Sequence, residues 1–166
     1  MTGGRLCGRT DVAADLTDGA RLEAVRTALA PPARLIISPA MRCRQTAGAL
    51  WPDHPGTHDP LLWEQDFGLW EGQPYADLPD LGPLAASDLA AHCPPKGESF
   101  ADLCARIGPA LQAIAAEGPA TIVAHAGTAR AALALAFDIA PLSATRLLAL
   151  PGGGWSIRCV NWTPAP

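Results

Sequence analysis

The sequence predicts an α/β domain built as a three-layer α/β/α sandwich around a mostly parallel sheet. Two short apolar runs, Leu35-Ile36-Ile37 and Thr121-Ile122-Val123-Ala124, alternate with segments of helical periodicity, and each run leads directly into the start of a helix. The chain has 166 residues, 49% of them hydrophobic and 17% charged, which fits one ordinary domain spanning 1–166 with its own core.

The elements follow in order. From Asp18 to Leu29, apolar residues at Leu22, Val25 and Leu29 are separated by Arg21, Glu23 and Arg26, a helical spacing with Thr17 or Asp18 as cap. Pro31-Pro32 stops that helix. The run Leu35-Ile36-Ile37 reads as a buried strand, and Ser38-Pro39 reads as an N-cap followed by proline in the first helical position, giving a helix from Pro39 to Leu50. A strand is predicted from Asp59 to Trp63, followed by a loop over Glu64–Gly72 that follows neither the helical nor the strand period. The prolines at 74, 79, 83, 94 and 95 restrict residues 73–96 to short helices, one over Pro83 to Ala91, in a small insertion above the core.

Ser99 with Asp102 forms a capping-box pattern ahead of a helix marked by Phe100, Leu103, Ile107, Leu111 and Ile114 and ending near Gly118. The second buried strand delivers His125-Ala126-Gly127 to a helix over Thr128–Phe137, and Leu147–Leu150 with Trp155–Val160 reads as a terminal strand pair. Chains of this kind open with a strand. The first twelve residues read instead as a loop rich in glycine and arginine, so a strand is expected in front of them.

Composition narrows the function. A net charge of −4 argues against a protein that holds polyanions by counterion release, so nucleic acid is not an expected partner. A small anion needs only two or three converging cations and is compatible with that balance. The five cysteines, Cys7, Cys43, Cys93, Cys104 and Cys159, are widely spaced without a C-x-x-C pair, which indicates neither a zinc site nor a redox dithiol and fits a reducing cytoplasm. No apolar run follows the positive charge at Arg5, so no secretory signal is read. The longest apolar stretch, Ala131–Ala140, is broken by Asp138 and is too short to span a bilayer, so no membrane partner is expected.

Ligands of open α/β sheets collect at the carboxyl ends of the strands, where helix N-termini present backbone N–H groups. Three candidates stand at such ends: Arg42 after the first strand, Glu64 after the second and His125 after the third. Their chemistry suits a phosphate ester. An arginine fork matches phosphate, a carboxylate delivers a proton to a leaving oxygen, and a histidine donates to a phosphoryl oxygen. Each also has an ordinary reading: an exposed helix arginine, a solvated loop carboxylate, a hydrogen-bonded structural histidine. Glu71 reads in the same way as solvated, Trp63, Phe67 and Trp70 as core or lid packing, and Cys7, Cys43 and Cys104 as small buried hydrophobes.

Together, four segments carry a family resemblance. Ser38-Pro39-Ala40-Met41-Arg42-Cys43-Arg44-Gln45-Thr46-Ala47 resembles the S-P-x-x-R-x-x-Q-T-A element of the histidine phosphatase superfamily. Leu62–Gly72 is similar to its L-x-E-x-x-x-G-x-x-E-G element, Gly97-Glu98-Ser99 to its G-E-S, and Val123-Ala124-His125-Ala126-Gly127 to its V-x-H-G-G, with alanine for the first glycine. Near the front, Gly8-Arg9-Thr10-Asp11-Val12 resembles a stretch typical of the α-ribazole phosphatase branch.

The resemblance implies a phosphoglycerate mutase-like fold and a phosphatase acting on a small phosphorylated substrate, α-ribazole 5′-phosphate of cobalamin biosynthesis, with neither metal nor cofactor. It gives Arg42 the phosphoryl group, Glu64 the role of general acid and His125 that of second active-site histidine. Arg9 then lines the substrate pocket, and the helix start at Gly127 faces the phosphate. The family's nucleophilic histidine belongs to an R-H-G or R-H-A tripeptide at the end of the first strand. No histidine occurs before His54, so the resemblance implies a nucleophile and a first strand lying ahead of Met1. The alternative is a catalytically inactive protein that binds phosphate esters or a partner.

Overall fold

The computed structural model describes residues 4–137; the predicted terminal strand pair at 147–150 and 155–160 lies outside them. Among the described residues three parallel strands form a sheet of order β2-β1-β3, with β1 over Leu35–Ile37, β2 over Thr57–His58 and β3 over Thr121–Val123. Ile36 and Ile37 lie beside Thr57 and His58, while Leu35, Ile36 and Ile37 lie beside Thr121, Ile122 and Val123. β1 is central and all three of its residues are buried, whereas β3 is half-buried and has no strand on its other side among the described residues.

The strand alternation sorts the core into two faces. Leu35, Ile37 and Val123 pack with Ala40, Cys43, Ala47, Leu50 and Trp51, under helices α1 (Gly19–Ala28) and α2 (Met41–Leu50). Ile36 and Ile122 pack on the opposite face with Phe100, Leu103, Ile107, Leu111, Ile114 and Ala131, from α4 (Phe100–Ala116) and α5 (Ala126–Phe137). Helix–sheet–helix layering is thus the observed architecture. Leu62, Leu103 and Ile107 are fully buried at its centre.

Local chemistry accounts for the element boundaries. Asp18 caps α1 by accepting from the N–H of Arg21, and the capping box of Ser99 and Asp102 forms at the start of α4. The predicted strand over Asp59–Trp63 is corrected: the strand is confined to Thr57–His58, and Pro60–Leu62 is a 3-10 helix. Pro60 has no N–H for a ladder, and the Asp59 side chain accepts from Leu61 N–H at 2.9 Å, which favours the turn over the strand.

Three helix starts also differ from the sequence reading. α2 begins at Met41, not Pro39, because Ser38 is turned into the interior and Asp11 accepts from Met41 N–H at 2.6 Å, capping the helix from a distant segment. α5 starts at Ala126, ahead of the expected Thr128, and the insertion helix α3 is shorter than expected, Ala86–Ala91. The opening segment is not a free loop. Leu6 N–H donates to Gln73 O (2.9 Å), Gly72 N–H to Leu6 O (2.8 Å) and Tyr75 N–H to Gly4 O (2.9 Å), an antiparallel strip against the insertion.

Candidate active site

The carboxyl ends of β1 and β3 release Ser38 and His125 side by side. Ser38 is fully buried, and its hydroxyl lies 2.8 Å from Nε2 of His125; Arg42, one turn into α2, places an Nη atom 3.2 Å from Nδ1 of the same ring. A guanidinium can only donate. Nδ1 must therefore carry the lone pair, and Nε2 the proton that goes to Ser38. His125 is a neutral imidazole with both nitrogens engaged. Burial, reinforced by the positive charges of Arg42, Arg106 and Arg9, pushes it down to about 3. The ring stacks near Trp63, with centroids 6.4 Å apart and planes 8° apart, and the Cys43 sulfur is 3.7 Å from Nε2 and 3.8 Å from Nδ1. Burial raises the Cys43 thiol to about 11, so it stays protonated and passive. Its proximity to His125 could not be read from a sequence separation of more than eighty residues.

Glu64 reaches the site from the segment after the 3-10 helix. One carboxylate oxygen accepts from Gly127 N–H at 3.2 Å, at the start of α5, and the other from Gln65 N–H at 3.0 Å. Gly127 is required for this approach, since a Cβ there would run into the Glu64 carboxylate and the Leu103 side chain. Ala126 is exposed, which explains why alanine is accepted where the family pattern has glycine. The backbone beneath Glu64 is fixed by Arg106 of α4, which donates to Leu61 O at 2.6 Å and Trp63 O at 3.2 Å while pairing with Glu98 at 2.6 Å.

Residues 8–14 close over this arrangement. Arg42 donates to Gly8 O at 2.7 Å and Thr10 O at 3.1 Å from below, and Gln45 accepts from Ala14 N–H at 2.8 Å. Above, one carboxylate, Glu71, accepts from the N–H groups of Gly8, Arg9 and Thr10, from the Thr10 hydroxyl and from Phe67 N–H. Burial raises the affinity of this carboxylate for protons, but those hydrogen bonds outweigh it and hold Glu71 below the usual carboxylate range. The solvated reading of Glu71 is thereby corrected. Arg9 lies 5.8 Å over the Trp63 ring and 3.9 Å from Glu98, its side chain 36% exposed.

Arg42, Glu64, His125, Arg9 and Gly127 thus gather around one point at the strand ends. His54 lies in the turn after α2, its N–H donating to Trp51 O, and His58 at the end of β2, beside Ile37. The sequence reading missed the supports Asp11, Gln45, Glu71, Glu98 and Arg106. All lie within or just beyond the matched motifs, but no periodicity distinguishes a carboxylate that gathers distant N–H groups from one facing solvent.

Comparison with known proteins gives the family and the fold. Residues 1–163 match the Histidine phosphatase superfamily (branch 1), and the chain belongs to that family. A 6-phosphofructo-2-kinase/fructose-2,6-bisphosphatase of Caenorhabditis elegans is 31% identical over 125 residues, covering 73% of this chain; the chain spans 27% of that protein's length. A phosphoglycerate mutase from Thermus thermophilus superposes with a TM-score of 0.67 at 27% identity, over 82% of this chain and 77% of that one. A mycobacterial glucosyl-3-phosphoglycerate phosphatase shares the fold, with a TM-score of 0.72 at 23% identity over 89% of this chain and 78% of that one. The phosphoglycerate mutase-like α/β fold expected from the sequence is therefore the fold found.

Proposed function

We propose that this chain carries the phosphoryl-binding and proton-donating groups of a phosphate monoesterase. The observation that carries the reading is the convergence of Arg42, Arg9 and the start of α5 with the Glu64 carboxylate at the ends of β1 and β3. Cations and helix N–H groups stabilise charge on a phosphoryl group, and a carboxylic acid at the same point protonates the departing alkoxide. Arg42 and Arg9 bind the phosphoryl oxygens and Glu64 acts as general acid. His125, neutral in this structure, holds Arg42 through Nδ1 and adds no standing charge.

In the family reading the nucleophile is a histidine, whose ring nitrogen must face phosphorus for in-line attack. His125 is the histidine held against Arg42, and both of its nitrogens are occupied, while His92 stacks instead on Trp70, with ring centroids 5.5 Å apart. The 166 residues alone should therefore bind phosphate esters while turning them over poorly, since loss of a nucleophile from a concerted site lowers kcat on the order of a millionfold.

α-Ribazole 5′-phosphate is the proposed substrate, on the strength of Gly8-Arg9-Thr10-Asp11-Val12, whose arginine borders the site. Thermal unfolding with α-ribazole 5′-phosphate and with 3-phosphoglycerate tests both levels of the proposal. Protection at lower concentration by the ribazole ester is expected. The reverse order would overturn the substrate, and protection by neither would overturn the phosphate-ester reading itself.

A further inference from the structure

We infer that Glu71 is a positioning residue for the phosphoryl site, acting on Arg42 through the peptides of Gly8–Thr10. The inference rests on the phosphate-ester reading above and extends it to a residue outside the reacting groups.

The geometry is a sandwich of opposite charges around one loop. Glu71 accepts from three successive backbone N–H groups, at 3.1 Å from Gly8, 2.8 Å from Arg9 and 3.1 Å from Thr10, and from the Thr10 hydroxyl at 2.6 Å. Arg42 donates to carbonyls on the other side of the same loop, those of Gly8 and Thr10. An anion on the N–H side and a cation on the C=O side polarise the intervening peptides in the same sense, so each strengthens the hydrogen bonds of the other. A Cβ at Gly8 would collide with the Gln65 carbonyl and the Glu71 carboxylate, so the close approach depends on glycine. Glu71 also accepts from Phe67 N–H at 3.2 Å, which ties the Gly8–Thr10 loop to the segment that carries Glu64.

The consequence concerns Arg42. Its Nη atoms are aimed by two loop carbonyls and by His125 Nδ1, and only the loop contacts depend on Glu71. Without the carboxylate three adjacent N–H groups converge on nothing negative, the loop relaxes, and Arg42 loses two of the acceptors that fix its fork.

The test measures inorganic phosphate binding by calorimetry in the wild type, Glu71→Gln, Arg42→Lys and the double variant, with backbone amide NMR of the same proteins. Glutamine keeps the shape and one acceptor but removes the charge. Phosphate affinity is expected to fall roughly tenfold in Glu71→Gln, and the double variant should bind no more weakly than Arg42→Lys alone, because the first change acts through the second residue. The amide protons of Gly8, Arg9 and Thr10 should stand downfield in the wild type and move together on acidification, reporting one carboxylate that titrates below the usual range. In Glu71→Gln that titration should vanish.

Thr10→Val, which deletes only the hydroxyl contact, provides a milder variant should Glu71→Gln fold poorly, and is expected to shift the same amides with a smaller loss of affinity. Unchanged affinity in both variants, or fully additive losses in the double variant, would overturn the role of Glu71 while leaving the phosphate site standing. Absence of phosphate binding in the wild type would overturn the site reading and this inference with it.

Discussion

His125 is read from the sequence as a donor to a phosphoryl oxygen, and its surroundings make it a neutral ring with both nitrogens engaged. Its ordinary value of 6.5 applies to the unfolded chain, where the residue takes a proton as pH falls below that point; the folded protein resists protonation until about 3. The unfolded state then binds more protons, so stability is complete above about pH 6.5 and declines as pH falls toward 3. Between about pH 6.5 and 4.5 this decline should be largely absent in His125→Gln, as followed by urea unfolding across that range. Below about 4.5 the lowered carboxyls of Glu71 and Asp102 add losses of their own, so the upper window isolates the histidine. At the same scale Gly127→Ala should push the Glu64 carboxylate off the start of α5 and destabilise the protein by about 1–3 kcal/mol, a loss visible in thermal unfolding.

Among single residues, legibility divides by the kind of signal. Arg42 and His125 are readable because each follows a recognisable strand within a recognisable motif, whereas Glu64 is readable from its motif alone, since the strand expected before it is a 3-10 helix. Glu71 and Arg106 are not, because their partners, Gly8–Thr10 in one case and Leu61, Trp63 and Glu98 in the other, are brought to them only by the fold.

The elements with strong local signals form where the sequence predicts them. α1 is legible from its apolar spacing and aspartate cap, and α4 from Ser99, Asp102 and its apolar stripe. Ser99→Ala should lower stability by about 1 kcal/mol in urea unfolding, the usual cost of losing such a cap. Elements whose ends are set by turns or from a distance are harder to place. β2 is displaced from its expected position because Asp59 and Pro60 start a turn where residue hydrophobicity alone reads as strand. The start of α2 is shifted because its cap, Asp11, lies thirty residues earlier in the chain. Asp11→Ala is expected to cost a similar ~1 kcal/mol and, unlike Ser99→Ala, also to weaken phosphate binding, since it frees the end of the loop that holds Arg42. Equal phosphate affinity in the two variants would contradict that distinction.

Over the whole molecule, alternation of short buried strands with amphipathic helices is enough to specify three layers, because a parallel sheet needs cover on both faces. The sheet then fixes where function collects. β1 and β3 end at the same level, their register placing Ile37 beside Val123, and everything assigned to phosphate lies just past that line. A net charge of −4 does not oppose an anion site, because three arginines, Arg9, Arg42 and Arg106, are close enough to His125 to depress its proton affinity. Calorimetric titration of the 166-residue protein with inorganic phosphate, beside its Arg42→Ala variant, tests this most directly. One phosphate per chain should bind the wild type, and the variant should bind at least roughly tenfold more weakly while keeping its far-ultraviolet circular dichroism. Equal binding by both proteins, or none by the wild type, would contradict a phosphoryl site built on Arg42.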